Sequence, residues 1–382
     1  MISRLVHGTP RLHGGRPLGM GFVAVLLVFG AAFPSLAADP RKMSFPPVEF
    51  HPPKAERVAL ENGMVLYLLE DHELPLISLE AMIRTGSVYE PADRIGLAGL
   101  TGTVMRTGGT ATISGDALDD TLEFLAVGMS SGIGQDAGYA SLDLLTKDLD
   151  QALPLFAEML MRPVFAQDKV LSAQKQTLEE IRRRNDNPSG MANRRFFSQI
   201  YGSDHPLGRE STAETVGRIV RADLVAFHAK YYRPDALILS VTGDFLKEEM
   251  INKIRSVFSG WAPGRPEVPA LPPLRDAGKT EVFIVPKEIS QTHLRIGHLG
   301  VRQDDPDFFA LSLLDDILGG GGFRSRLFKE VRTKRGLAYS IGTAFTAGRI
   351  ERGVFAAYGE TKASSTHQTT AAVLEQIRKI RG

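Results

Sequence analysis

A strand followed by a turn that sets an acidic residue before proline occurs twice in this chain, and the second occurrence comes after a proline-rich stretch. The first strand pattern covers 77–84 and leads into Tyr89-Glu90-Pro91; the second covers 292–299 and leads into Asp305-Pro306, at an offset of 215 residues (306 − 91). Self-similarity at a fixed long offset reads as an internal duplication, so the chain is expected to form two related lobes. Between them, 261–274 carries Pro263, Pro266, Pro269, Pro272 and Pro273, whose fixed φ makes a semi-rigid connector. The expected division is 45–258 for an N-terminal lobe, 259–276 for the linker and 277–382 for a C-terminal lobe.

Within the first lobe, 58–60 and 64–69 flank Asn62-Gly63 and read as a hairpin. Helical periodicity covers 116–126, 149–161, 169–184, 222–232 and 247–258, and 236–242 is a compact apolar strand closed by Gly243-Asp244. In the second lobe, strands are expected at 280–285 and 292–299. This order predicts an α+β fold in which each lobe is a largely antiparallel sheet with helices on one face. The same offset carries helix 149–161 to 364–376, close to Gly382. The second lobe is therefore expected to be truncated at the C-terminus, as a fragment or with a partner over its exposed sheet.

Composition narrows the function. Hydrophobic residues at 43% and charged residues at 23% are ordinary for a globular chain, and a net charge of +1 without a basic run interleaved with aromatics argues against nucleic acid. Arg4, Arg11 and Arg16 precede the apolar run 19–33, and Ser35 and Ala37 suit cleavage after Ala37; residues 1–37 are expected to be a signal peptide directing export to a periplasm. The run is shorter than the roughly 20 residues that span a bilayer, so no stable membrane anchor is expected. The absence of cysteine suits an oxidising compartment.

Two stretches carry the chemistry. After the first strand and its acidic turn comes Gly96-Leu97-Ala98-Gly99-Leu100-Thr101-Gly102-Thr103. The setting resembles the insulinase/pitrilysin family of metallopeptidases, in which a Gly-Leu-Ala lead-in opens the inverse zincin helix HxxEH. Aligned on that lead-in, the first histidine becomes Gly99, the water-activating glutamate Gly102 and the second histidine Thr103; the family's third ligand falls on Glu180. Catalytic zinc needs about three protein ligands and a nearby base. Glycine offers none, a neutral threonine hydroxyl is a poor one, and one carboxylate does not suffice. Read on its own, Glu180 is a solvated glutamate on a charged helix. The other histidines make no substitute: His293 and His298 stand five apart on a strand and point to opposite faces, and His205 reads as a structural turn residue. No metal is expected in this chain.

The second stretch is Leu318-Gly319-Gly320-Gly321-Gly322-Phe323-Arg324-Ser325-Arg326-Leu327-Phe328-Lys329-Glu330-Val331-Arg332, with Tyr339 seven residues further on. No lysine and Ser/Thr follow the glycines at P-loop spacing. On residue type alone, Arg332 is a surface helix residue and Tyr339 a half-buried strand aromatic. The same resemblance implies a further role: family members place an arginine and a tyrosine at this spacing where the second lobe approaches the scissile peptide. Guanidinium and phenol can both donate to a peptide carbonyl or to a developing oxyanion.

The resemblance covers the chain from about Val58 onward. It implies the metal-free subunit of a heterodimeric periplasmic zinc peptidase, inactive alone, whose Arg332 and Tyr339 bind the peptide substrate while an HxxEH-bearing partner supplies zinc. The alternative is a structural or interaction protein that keeps the fold without a proteolytic role.

Overall fold

The computed structural model describes residues 44, 49–275 and 278–381; the signal-peptide reading lies outside them. From Pro53 onward the chain packs as one compact unit. In chain order, strands β1 (Glu56–Ala59), β2 (Val65–Glu70) and β3 (Leu76–Ile83) are followed by helices α1 (Leu97–Thr107) and α2 (Gly115–Leu125), the β4 (Gly128–Ile133) and β5 (Gly138–Leu145) hairpin, and α3 (Leu149–Met161). Helices α4 (Gln167–Arg183), α5 (Pro188–Tyr201), α6 (Ala213–Gly217) and α7 (Arg221–Tyr231) lead to β6 (Leu237–Gly243) and α8 (Lys247–Val257). Thereafter come β7 (Gln291–Leu299), α9 (Phe308–Asp315), π-helical turns at 316–320 and 328–334, β8 (Ala338–Thr346), β9 (Val354–Lys362) and α10 (Thr366–Arg381).

The first sheet runs β1-β2-β6-β3-β5-β4, antiparallel throughout except for the parallel pair β2 and β6. Its strands alternate as a one-sided sheet must. Ile77, Leu79, Ala81 and Ile83 of β3 are buried under the helices with Leu142, Leu239, Val241, Leu100, Val104 and Phe156, each large apolar side chain contributing about 1.5–3 kcal/mol. The opposite face carries Ser78, which donates to Asp143 at 2.7 Å, and the Ser130–Ser141 hydroxyl pair at 2.8 Å.

The second sheet, β7-β9-β8, is antiparallel and repeats β3-β5-β4. Moving β3 by 215 residues gives 291–298, against β7 at Gln291–Leu299; moving β5 gives 353–360, against β9 at Val354–Lys362. Moving α3 gives 364–376, which overlaps α10 at Thr366–Arg381. The mixed α+β fold with a larger and a smaller sheet is thus present.

The expected strand at 280–285 does not form. The chain there belongs to no strand, with Val282 and Ile284 83% and 84% exposed. The cause is topological. Its counterpart β2 joins the first sheet by pairing with β6, which lies between β2 and β3, and among the described residues no strand takes that place beside β7. Helix α9, the counterpart of α1, likewise has no buried residue and leaves Phe309 and Leu313 exposed.

Helix α5 ties the two sheets together. Arg295 of β7 donates to Ser189 Oγ at 3.0 Å, and a Cβ at Gly297 would stand 2.0 Å from the Phe355 carbonyl oxygen of β9 and 2.8 Å from the Phe196 ring of α5. Tyr201 Oη donates to the Arg352 carbonyl at 3.0 Å. His205 is buried; Leu207 N donates to its Nδ1 at 3.1 Å, so Nε2 carries the proton and donates to the Pro272 carbonyl in the proline-rich segment at 3.0 Å.

Candidate functional site

Helix α1 is entered through its N-cap Gly96, whose φ of 111° is left-handed and suits glycine. Its first N–H groups are capped by a residue that the sequence pattern places only in a turn. The buried Glu90 carboxylate accepts from Gly96 N at 3.2 Å and Ala98 N at 2.6 Å. Burial pushes this carboxyl up to about 7, against the pull of the two N–H groups and of Arg209. Arg209 in turn donates to the Ser87 and Glu90 carbonyls at 3.3 and 2.6 Å, holding the loop that carries the cap. An acid a few residues before a helix, facing its positive end, was the signal available in the sequence.

Along α1 the three aligned positions have different surroundings. Gly99 is exposed, and a Cβ added there meets nothing within 4 Å. Thr103, one turn on, is exposed as well. Gly102 is pressed onto β4: a Cβ there would lie 2.5 Å from Ile133 N, and its carbonyl accepts from Ser131 Oγ at 2.6 Å. Glu180 is an exposed residue of α4, accepting from Gln176 Nε2 at 3.3 Å. The family's zinc does not fit these residues. Two ligand positions lack side chains or carry only a hydroxyl, and the position of the catalytic glutamate has no room for even a methyl group unless β4 retreats. Among the described residues no group of three or more His, Cys, Asp or Glu could hold a metal.

The second lobe is arranged differently. Gly319, in the π-helical turn 316–320, lies so close to β8 that a Cβ would stand 2.4 Å from Thr343 N. Both lobes therefore press a helical glycine onto the edge strand of their three-strand unit. Beyond the glycines, Arg332 sits in the π-helical turn 328–334, a geometry that recurs at functional sites. Tyr339 sits at a register shift in the β8–β9 ladder between Ala338 and Ser340. Such a bulge re-aims a side chain, and Tyr339 is 78% exposed.

The structure brings Arg332 and Tyr339 together. The guanidinium carbon is 4.5 Å from the centre of the Tyr339 ring, 4.5 Å from that of Phe328 and 5.9 Å from that of Phe323. Phe323 and Phe328 meet edge to face at 4.6 Å. Three rings thus hold one cation, at about 0.5–2 kcal/mol per good contact. Neither phenylalanine belongs to the arginine and tyrosine pair read from the sequence, yet Phe328 stands at i−4 to Arg332, the spacing of helical neighbours. The two candidate regions belong to different sheets, α1 packing on β4 and the Arg332 turn on β8.

Comparisons agree with this architecture. Residues 68–212 match the family described as Insulinase (Peptidase family M16), and residues 218–382 match Peptidase M16 inactive domain. An uncharacterized zinc protease of Rickettsia bellii is 24% identical over 323 residues, 84% of this chain and 77% of that protein. A peptidase M16 inactive domain from Pseudomonas fluorescens superposes with a TM-score of 0.77 at 29% identity, covering 85% of this chain and 79% of that one. The periplasmic protease PqqL from Escherichia coli shares the fold at a TM-score of 0.74 and 15% identity, covering 87% of this chain and 37% of that one.

Proposed function

We propose that this chain, which belongs to the insulinase family (peptidase family M16), is the metal-free subunit of a heterodimeric periplasmic zinc peptidase. Its part is to hold the peptide with Arg332 and Tyr339 while an HxxEH-bearing partner contributes the zinc. The observation that carries the reading is the contrast between the two lobes: α1 has no ligands, whereas the Arg332 guanidinium is fixed between rings beside the exposed Tyr339.

Zinc bound by the partner supplies the activated water. The residues of this chain do the orienting. The guanidinium, held close to the rings, is one donor and the Tyr339 hydroxyl a second; together they can align a peptide carbonyl and favour the negative charge that grows on its oxygen. Because the ring contacts hold the guanidinium beforehand, little side-chain entropy remains to be lost on binding. The periplasmic assignment rests on the apolar run 19–33 and the small residues Ser35 and Ala37 that follow it.

Metal analysis and a binding measurement test the proposal together. The purified chain is expected to contain no stoichiometric zinc and to form a stable complex with an HxxEH-bearing family member in sedimentation experiments. Zinc retained by the isolated chain, or no association with such a partner, contradicts it.

A further inference from the structure

The surroundings of Arg332 go beyond what a neutral carbonyl requires. Between Gly319 and Arg335 stand six cations, Arg324, Arg326, Lys329, Arg332, Lys334 and Arg335, and one carboxylate, Glu330. That carboxylate is engaged by Lys334 at 2.5 Å, and Arg335 pairs with Glu375 of α10 at 2.7 Å. Arg326 donates to the Lys379 carbonyl at 3.4 Å. Among the described residues, Arg324, Lys329 and Arg332 have no anionic partner; Arg324 and Lys329 are exposed and directly follow the two phenylalanines that stack on Arg332. Asp315 and Asp316 lie at the far end of the glycine loop, against the backbone of Gly320 and Gly321.

The geometry of Arg332 adds a second constraint. Its guanidinium carbon is equally close to Phe328 and Tyr339, at 4.5 Å from each ring, so this cation is held in place for the peptide carbonyl. Arg324 and Lys329, exposed and without an anionic partner among the described residues, remain for a further group of the peptide. Cations of this kind attract a carboxylate.

We infer that the surface beside Arg332 is a carboxylate site, and that the peptide this subunit holds is an acidic one, presenting either Asp/Glu side chains or a free C-terminal carboxylate to Arg324 and Lys329 while Arg332 and Tyr339 hold its backbone carbonyl. This rests on the reading of Arg332 and Tyr339 as the peptide-binding pair and names the class of peptide they take.

Fluorescence anisotropy with the full chain at about 50 mM salt, where exposed charges are weakly screened, tests it with three labelled peptides of one length. The first carries Asp and Glu with an amidated C-terminus. The second is neutral with a free C-terminal carboxylate, and the third is neutral and amidated. The first or the second is expected to bind at least about tenfold more tightly than the third, a difference of about 1.4 kcal/mol, and which of them does so identifies the source of the carboxylate. The exposed pair Arg324→Gln and Lys329→Gln, which leaves the ring cage intact, is expected to bring the preference below about twofold, whereas Arg332→Gln is expected to weaken all three peptides alike. Equal binding of all three peptides, or a preference unchanged when Arg324 and Lys329 are replaced, overturns the inference. A mixture with the zinc-bearing subunit that cleaves the neutral amidated peptide as fast as the others, while still requiring Arg332, overturns the carboxylate preference and leaves the proposed function standing.

Discussion

Arg349, in the turn between β8 and β9, grips both carboxylate oxygens of Asp136, in the turn between β4 and β5, with its Nε 3.0 Å from Oδ2. The same guanidinium donates to Tyr139 Oη at 2.7 Å. The corresponding hairpins of the two sheets are therefore clasped by a half-buried bidentate pair, which fixes a geometry that single exposed ion pairs do not. Arg349→Ala and Asp136→Ala are each expected to lower stability by about 1–3 kcal/mol, and the double variant to cost less than their sum. Urea unfolding of the four proteins checks this; strict additivity would show that the clasp contributes nothing.

Glu90 gives stability a pH dependence. Its carboxyl is raised from the usual carboxylate range to about 7 in the folded chain, so the folded state holds its proton over a window in which the unfolded state has lost it. The stability tied to that proton is fully present below about pH 4.5 and is lost as pH rises through about 7, with a slope of at most about 1.4 kcal/mol per pH unit. Denaturant midpoints measured from pH 4.5 to 8 are expected to fall over this range, and the fall is expected to be shallower in Glu90→Gln. Identical profiles for the two proteins would assign the dependence to other groups.

Gly99 and Gly102 are expected to respond in opposite senses to the same substitution. Open space surrounds Gly99, so Gly99→Ala removes the flexibility of glycine in a helix and is expected to stabilise by about 0.5–1 kcal/mol. Gly102→Ala drives a methyl group into the backbone of Gly132 and Ile133 and is expected to destabilise by about 1–3 kcal/mol. Thermal melts distinguish the outcomes, and equal shifts would mean that α1 does not lie against β4 as described.

The α+β layers and the duplication were legible in the sequence because the apolar periods are strong: α3 has the expected bounds, and β7 falls at the expected offset from β3. Residues 280–285 misled because their run of β-branched and aromatic side chains reports local propensity, whereas a strand exists only where a neighbour pairs with it. At the site, the spacing of Arg332 and Tyr339 was readable, but the bulge that exposes Tyr339 and the rings that hold Arg332 depend on tertiary placement. Glu90 was visible as an acid in a turn; its burial and its two N–H partners were not.

Stability and activity are expected to separate at the ring cage. Tyr339 Oη has no partner among the described residues, so Tyr339→Phe is expected to change stability by less than about 0.5 kcal/mol. Arg332→Ala, which removes the cation from its rings, is expected to cost about 0.5–2 kcal/mol. Both are expected to slow hydrolysis by the two-subunit mixture at least about tenfold through the loss of a donor to the reacting carbonyl. Paired melting and rate measurements check this, and a rate loss that merely tracks unfolding would contradict it.

Peptide hydrolysis measured for this chain alone, for an HxxEH-bearing family member alone, and for the two mixed tests the division of labour most directly. The expected result is cleavage by the mixture well above that of either protein, abolished by chelation and reduced when Arg332→Ala replaces the native chain. No gain on mixing, or chelator-sensitive cleavage by this chain on its own, would contradict it.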